Sequence, residues 1–126
     1  MITRFALFDG TVHAGQTDAF RAAVLAELLP LWRQFPGALA VRVSFAEARD
    51  DGAPEYPLIL AVDYPDLAAV EAALASPVRA QSRAVTESVL ARFFTGRVHH
   101  HVTTASGDPV LKQGWIYGRG NDTTVS

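Results

Sequence analysis

Residues 2–12 read Ile-Thr-Arg-Phe-Ala-Leu-Phe-Asp-Gly-Thr-Val. The run is apolar and β-branched, and the turn formers Gly10 and Gly15 close it, so it reads as a first strand. Its middle is apolar on both sides: Phe5 and Leu7 at odd positions, Ala6 and Phe8 at even ones. Residues 58–62, Leu-Ile-Leu-Ala-Val, repeat that character. A strand in an antiparallel sheet with helices on one side needs only one apolar face, so these two strands belong in the middle and call for cover on both faces. Two other segments alternate instead. Leu39, Val41, Val43 and Phe45 are interleaved with Ala40, Arg42 and Ser44, and Val98, His100 and Val102 with Arg97, His99 and His101, the pattern of half-polar edge strands.

Helices fill the intervals. After Thr17, a candidate N-cap, Phe20, Val24, Leu28, Leu31 and Phe35 recur on one helical face, and Pro36-Gly37 ends the run. Pro30 falls inside it and removes the bond to the carbonyl of Ala26, which predicts a kink or a loosened last turn. Residues 47–57 form a polar connection carrying Asp50, Asp51, Gly52 and two prolines. Asp66 is placed to cap a helix with Leu67, Val70 and Leu74 on one side, and Ser76-Pro77 begins another that carries Val78, Val85, Val89 and Phe93.

The order strand, helix, strand, strand, helices, strand gives an α+β domain, a ferredoxin-like βαββαβ sandwich with antiparallel sheet order 4-1-3-2. The doubly apolar central strands predict that a second copy covers the free face, making a homodimer of the dimeric α+β barrel type. The domain is expected over residues 1–105. Residues 106–126 lack periodicity and read as a C-terminal extension; Trp115 and Tyr117 are candidate anchors on the domain or on the partner subunit.

With 126 residues there is room for one domain with its own core. A formal charge of −2, from 11 basic and 13 acidic side chains, argues against a nucleic-acid partner. No window approaches the apolar length a membrane span needs, and the reading is a cytoplasmic protein with no membrane partner. With no cysteine, disulfides, thiolate zinc sites and cysteine nucleophiles are excluded. The glycines at 114, 118 and 120 do not sit between a strand and a helix, so they form no phosphate loop, and there is no Gly-x-Ser-x-Gly elbow.

Several stretches together resemble the EthD-like family of dimeric α+β barrel proteins: Phe20 with Pro30-Leu31 and Phe35-Pro36-Gly37, Asp66-Leu67, Ala72 to Pro77, and Phe93-Phe94 with Gly96, Val98, His100 and Val102. The resemblance covers nearly all of the first hundred residues. It implies a pocket between sheet and helices and a role in the catabolism or modification of xenobiotic, aromatic or polyketide-like compounds, without metal or organic cofactor. Family members that resemble dehydratases often carry a histidine two residues before the first-helix proline. Here that position is Leu28, which cannot exchange protons, so any acid–base group must lie elsewhere.

Among the residues, His100 shares a strand face with Val98 and Val102. It is a candidate general base kept neutral by desolvation, or else a core histidine with a backbone or hydroxyl partner. Arg42, among small neighbours, can orient a carboxylate or enolate, or pair with Glu47 or Asp63. Trp32 can stack on an aromatic ligand or pack beside Phe35, and Tyr64 is a second orienting candidate. His99 and His101 have the i, i+2 spacing of two metal ligands, but a third is missing unless His13 folds back, and no metal is assigned. Two functions are consistent with this: a cofactor-independent lyase or isomerase acting on a small hydrophobic ligand, and a non-catalytic binding or accessory protein of a degradation pathway.

Overall fold

A computed structural model describes residues 1–106. The expected docking of the C-terminal extension through Trp115 and Tyr117 lies outside the described residues. In chain order the elements are β1 (Ile2–Val12), α1 (Thr17–Ala23), a π-helical segment (Val24–Leu28), α2 (Leu29–Trp32), β2 (Ala40–Phe45), β3 (Leu58–Tyr64), α3 (Leu67–Leu74), α4 (Pro77–Phe93) and β4 (Phe94–Thr104). The sheet is antiparallel with order β2-β3-β1-β4, the ferredoxin-like order expected, read from the opposite edge.

The register explains the double apolar character of the centre. Ala6 lies opposite Leu60 and His100, and Phe8 opposite Leu58 and Val98, all on the helix side. There Phe8, Leu58 and Leu60 pack with Phe20, Val24, Leu28, Trp32 and Val89 in one buried cluster. The other face carries Phe5, Leu7 and Ile59 between the two edge strands; none of the three joins that cluster, and all remain half-buried. An aromatic group closes the core at one end: Phe94 stacks on Phe20 with ring centres 6.0 Å apart and meets Phe8 edge-on at 6.4 Å.

Pro30 acts one turn earlier than a loosened last turn would place it. The amide of Leu29 reaches back to the carbonyl of Val24, and the helix widens over Val24–Leu28 immediately before the proline. A widened turn supplies slack where the i to i−4 ladder must break. The caps divide. Asp66 accepts from the amide of Ala69 at 2.8 Å, as expected of an N-cap. Ser76 precedes Pro77 at the start of α4, but its hydroxyl donates to the carbonyl of Ala73 at 2.6 Å and so closes α3 instead of capping α4. Gln16, not Thr17, occupies the N-cap position of α1, a one-residue difference. β4 begins directly at the end of α4, so Gly96 lies inside the strand, facing Gly10.

On the free sheet face Asp63 is buried and holds β2 to β3 and β1. It accepts from Arg42 Nη1 at 2.7 Å and from the Thr3 hydroxyl at 2.7 Å. The hydrogen bond from Arg42 is the main reason its carboxyl titrates below the ordinary value; burial opposes this, and Thr3 and the Arg42 charge add to it. A group depressed on folding stabilises the fold above its unfolded pKa and loses that contribution as pH falls through the folded value. Asp63→Asn is therefore expected to lower stability at pH 7 by about 1 to 2 kcal/mol and to flatten the fall in stability below pH ~4, measured by urea unfolding from pH 7 to 3. An unchanged acid limb would remove Asp63 as its source.

Candidate functional site

Helix α4 crosses above β1 and β4, and between them lies a cavity of about 440 Å³, within the range of about 300 to 1,000 Å³ typical of small-molecule sites. Its apolar wall is Ala6, Phe8, Leu60 and Val98 from the sheet, Trp32 and Phe35 from the end of the first helical region, and Leu90 from α4. Its polar wall is Arg4 from β1, His100 from β4, and Arg79, Ser82, Arg83, Thr86 and Glu87 from α4. The α4 residues recur at three- and four-residue spacing, so one stripe of that helix turns polar groups toward the sheet. The adjacent stripe, Val78, Val85 and Val89, supplies packing.

His100 faces this cavity because it shares strand parity with Val98. Its ring pKa is pushed down from 6.5 to about 4, first by desolvation and then by Arg4, Arg79, His99 and Arg83. Residue 100 as a whole remains partly open to solvent, so water moderates the desolvation and the guanidinium charges alike. Both act the same way: at neutral pH the imidazole is unprotonated and able to accept a proton. Arg4 is itself half-buried, and its pKa is lowered by burial and by the charge of Arg79.

The other candidates fall in different places. Trp32 lines the cavity with one side and is only 2 % exposed, its ring centre 6.5 Å from Phe8, so it serves core and cavity wall together. Tyr64 is buried at the end of β3 opposite Ile2 and does not line the cavity; burial raises its phenol pKa and Arg4 partly offsets this. Arg42 lies on the free sheet face, paired with Asp63, and is likewise no part of the cavity wall.

His99 and His101 are on that same free face, with ring centres 5.8 Å apart and Tyr56 edge-on to His99. His99 Nε2 is buried without a hydrogen-bond partner among the described residues. His13 is instead bonded to the Thr95 hydroxyl at 3.0 Å, and among the described residues no three His, Asp or Glu side chains gather as a metal site would require.

Sequence reasoning missed Arg4, Arg79 and Arg83. A signal existed for Arg4: an arginine on the helix-facing parity of a central strand is misplaced unless something polar sits opposite. For Arg79 and Arg83 there was none, because on an amphipathic helix they look like a solvated face.

No family model matches this sequence, and no curated protein matches it. Solved structures do. An EthD family protein from Bacillus halodurans aligns with a TM-score of 0.62 and 16% identity over 84% of this chain and 99% of that one. HapK from Hahella chejuensis aligns at 0.61 and 18% identity over 90% of this chain and 100% of that one. SnoaB of Streptomyces nogalater, a cofactor-independent oxygenase, aligns at 0.57 and 19% identity over 86% and 95%. At such identities the likeness is one of fold, and it agrees with the ferredoxin-like topology. No described helix is long and apolar enough to cross a membrane.

Proposed function

We propose that the protein binds a small hydrophobic compound, aromatic or polyketide-like, in the cavity under α4 and converts it without a cofactor, as a lyase or isomerase with His100 taking the proton. The observation that carries this is the placement of a neutral imidazole in one cavity with the apolar wall of Phe8, Trp32, Phe35, Leu90 and Val98 and the guanidinium groups of Arg4, Arg79 and Arg83. An apolar wall holds a flat ring, the imidazole accepts a proton from an acidified carbon, and nearby guanidinium groups stabilise the oxyanion that results. The likeness in fold to an EthD family protein and to a cofactor-independent oxygenase supports a role in small-molecule metabolism.

A second reading, a binding or accessory protein of a degradation pathway, is favoured by Leu28. That side chain is fully buried in the core and contributes no acid–base group at the position where dehydratase-like members of the EthD-like family often carry histidine. In both readings the working unit is a cytoplasmic homodimer. The half-buried Phe5, Leu7 and Ile59 on the helix-free sheet face support that assembly.

Native mass spectrometry of the protein isolated from its own host tests these together. The expected spectrum shows twice the subunit mass with a retained small molecule, and Leu90→Trp, which fills the cavity, loses that molecule while keeping the dimer. A monomer with no adduct would speak against both the assembly and the ligand.

A further inference from the structure

The cavity has a charge that its apolar wall does not explain. The chain as a whole carries a formal charge of −2, yet this one site gathers Arg4, Arg79 and Arg83 against the single carboxylate of Glu87. Nine arginines fall among the described residues, at positions 4, 21, 33, 42, 49, 79, 83, 92 and 97. Five of them, Arg21, Arg42, Arg49, Arg92 and Arg97, are in ion pairs. Of the four that form no ion pair among the described residues, three line this cavity. They arrive from two elements, a central strand and a helix, so local sequence does not account for their convergence.

Like charges in excess of their counter-charge repel one another and raise the free energy of the folded chain, the more so where one is half-buried as Arg4 is. Glu87 lies one helical turn beyond Arg83 and is exposed, and it forms no ion pair with Arg83 among the described residues. Three cations less one anion leave a formal excess of two positive charges facing the space that the ligand would occupy.

We propose that the ligand of this cavity is an aromatic carboxylate, its carboxylate seated among Arg4, Arg79 and Arg83 and its ring against Trp32 and Phe35; the proposal rests on the reading of the cavity as a small-molecule site. Guanidinium groups present planar pairs of donors that match a carboxylate. The separation of a cationic end from an aromatic floor sets one orientation for the ligand and selects against neutral analogues of the same shape.

The test compares 2-naphthoate with 2-naphthamide, its neutral counterpart of the same outline, by isothermal titration at pH 7.5 and low salt. Wild type is set against the Arg79→Gln/Arg83→Gln double variant and against Arg4→Met. Naphthoate is expected to bind wild type at least about tenfold more tightly than the amide, and the double variant, which removes two of the three cations that line the cavity, is expected to lose that preference through weaker naphthoate binding. Amide binding equal to or tighter than naphthoate binding overturns the anionic assignment and leaves the apolar site standing. A preference that survives in both the double variant and Arg4→Met also overturns it. Failure of wild type to bind either compound overturns the site itself along with the assignment.

Discussion

Gly96→Ala is expected to destabilise the protein by about 3 kcal/mol or more, a fall in Tm of at least roughly 12 °C for a domain of this size. Gly96 lies in β4 opposite Gly10 of β1 with φ of +153°, outside the range an L side chain adopts with ease. A Cβ there would stand 2.2 Å from the carbonyl oxygen of Asp9 and 2.7 Å from the Cα of Gly10, and backbone in a paired ladder has little freedom to retreat. The pair also lies beneath the ring of Phe94, which would meet a Cβ on either glycine at less than 3.0 Å. Any retreat would therefore disturb the stacking of Phe94 on Phe20 and its edge contact with Phe8. Gly15→Ala is the control: φ is +76° there, but no atom lies within 4 Å of the added carbon, and the loss should be only about 1 to 2 kcal/mol. Thermal unfolding of both variants decides the matter, and equal losses would show that the close approach of the two strands adds nothing beyond the dihedral strain.

That glycine pair also marks where the sequence stopped being legible. Gly10 and Gly96 are read most simply as punctuation, one near the end of a strand and one between a helix and a strand. Both instead lie in the longest ladder of the sheet, because β4 starts at Phe94 with no connecting loop after α4. Patterns of apolar residues were enough to order the four strands: Phe5, Leu7 and Ile59 on one side and Ala6, Phe8 and Leu60 on the other mark the central strands whatever the loops do. Strand parity likewise placed His100 beside Val98. Partnerships across the sheet were legible only as alternatives, and the pairing of Arg42 with Asp63 was one of them. Of the cationic side of the cavity only Arg4 was legible, by its strand parity; the part played by Arg79 and Arg83 depends on how far α4 stands from the sheet, and periodicity within a helix carries no information about that separation.

His100→Gln is expected to lower proton abstraction in the cavity by about a hundredfold or more while leaving the fold intact. The probe is 5-nitrobenzisoxazole, a flat neutral aromatic. When a base takes its ring C–H proton, the electron pair closes the nitrile, the ring N–O bond breaks, and a cyanonitrophenolate is released that absorbs visible light. The imidazole receives the proton, and the guanidinium groups around it meet the negative charge that develops on oxygen. The pH profile tells a catalytic histidine from one that merely packs. The groups facing His100 are Arg4 on β1 and Arg79, Arg83 and Glu87 on α4, with His99 next to it on the strand, and burial together with the arginines holds the ring pKa at about 4. A base with a lowered pKa is unprotonated, and therefore active, at every pH above that value. The rate should stay level from neutral pH down to about 5, whereas an ordinary histidine would already be half protonated near pH ~6.5. Arg79→Gln/Arg83→Gln removes two of the cations and should move the acid midpoint up toward that ordinary value, a shift that a purely structural role for either arginine would not produce. A wild-type rate no faster than that of His100→Gln, or a midpoint near 6.5 that ignores both arginines, would dispose of His100 as the base and leave the cavity a place for binding alone.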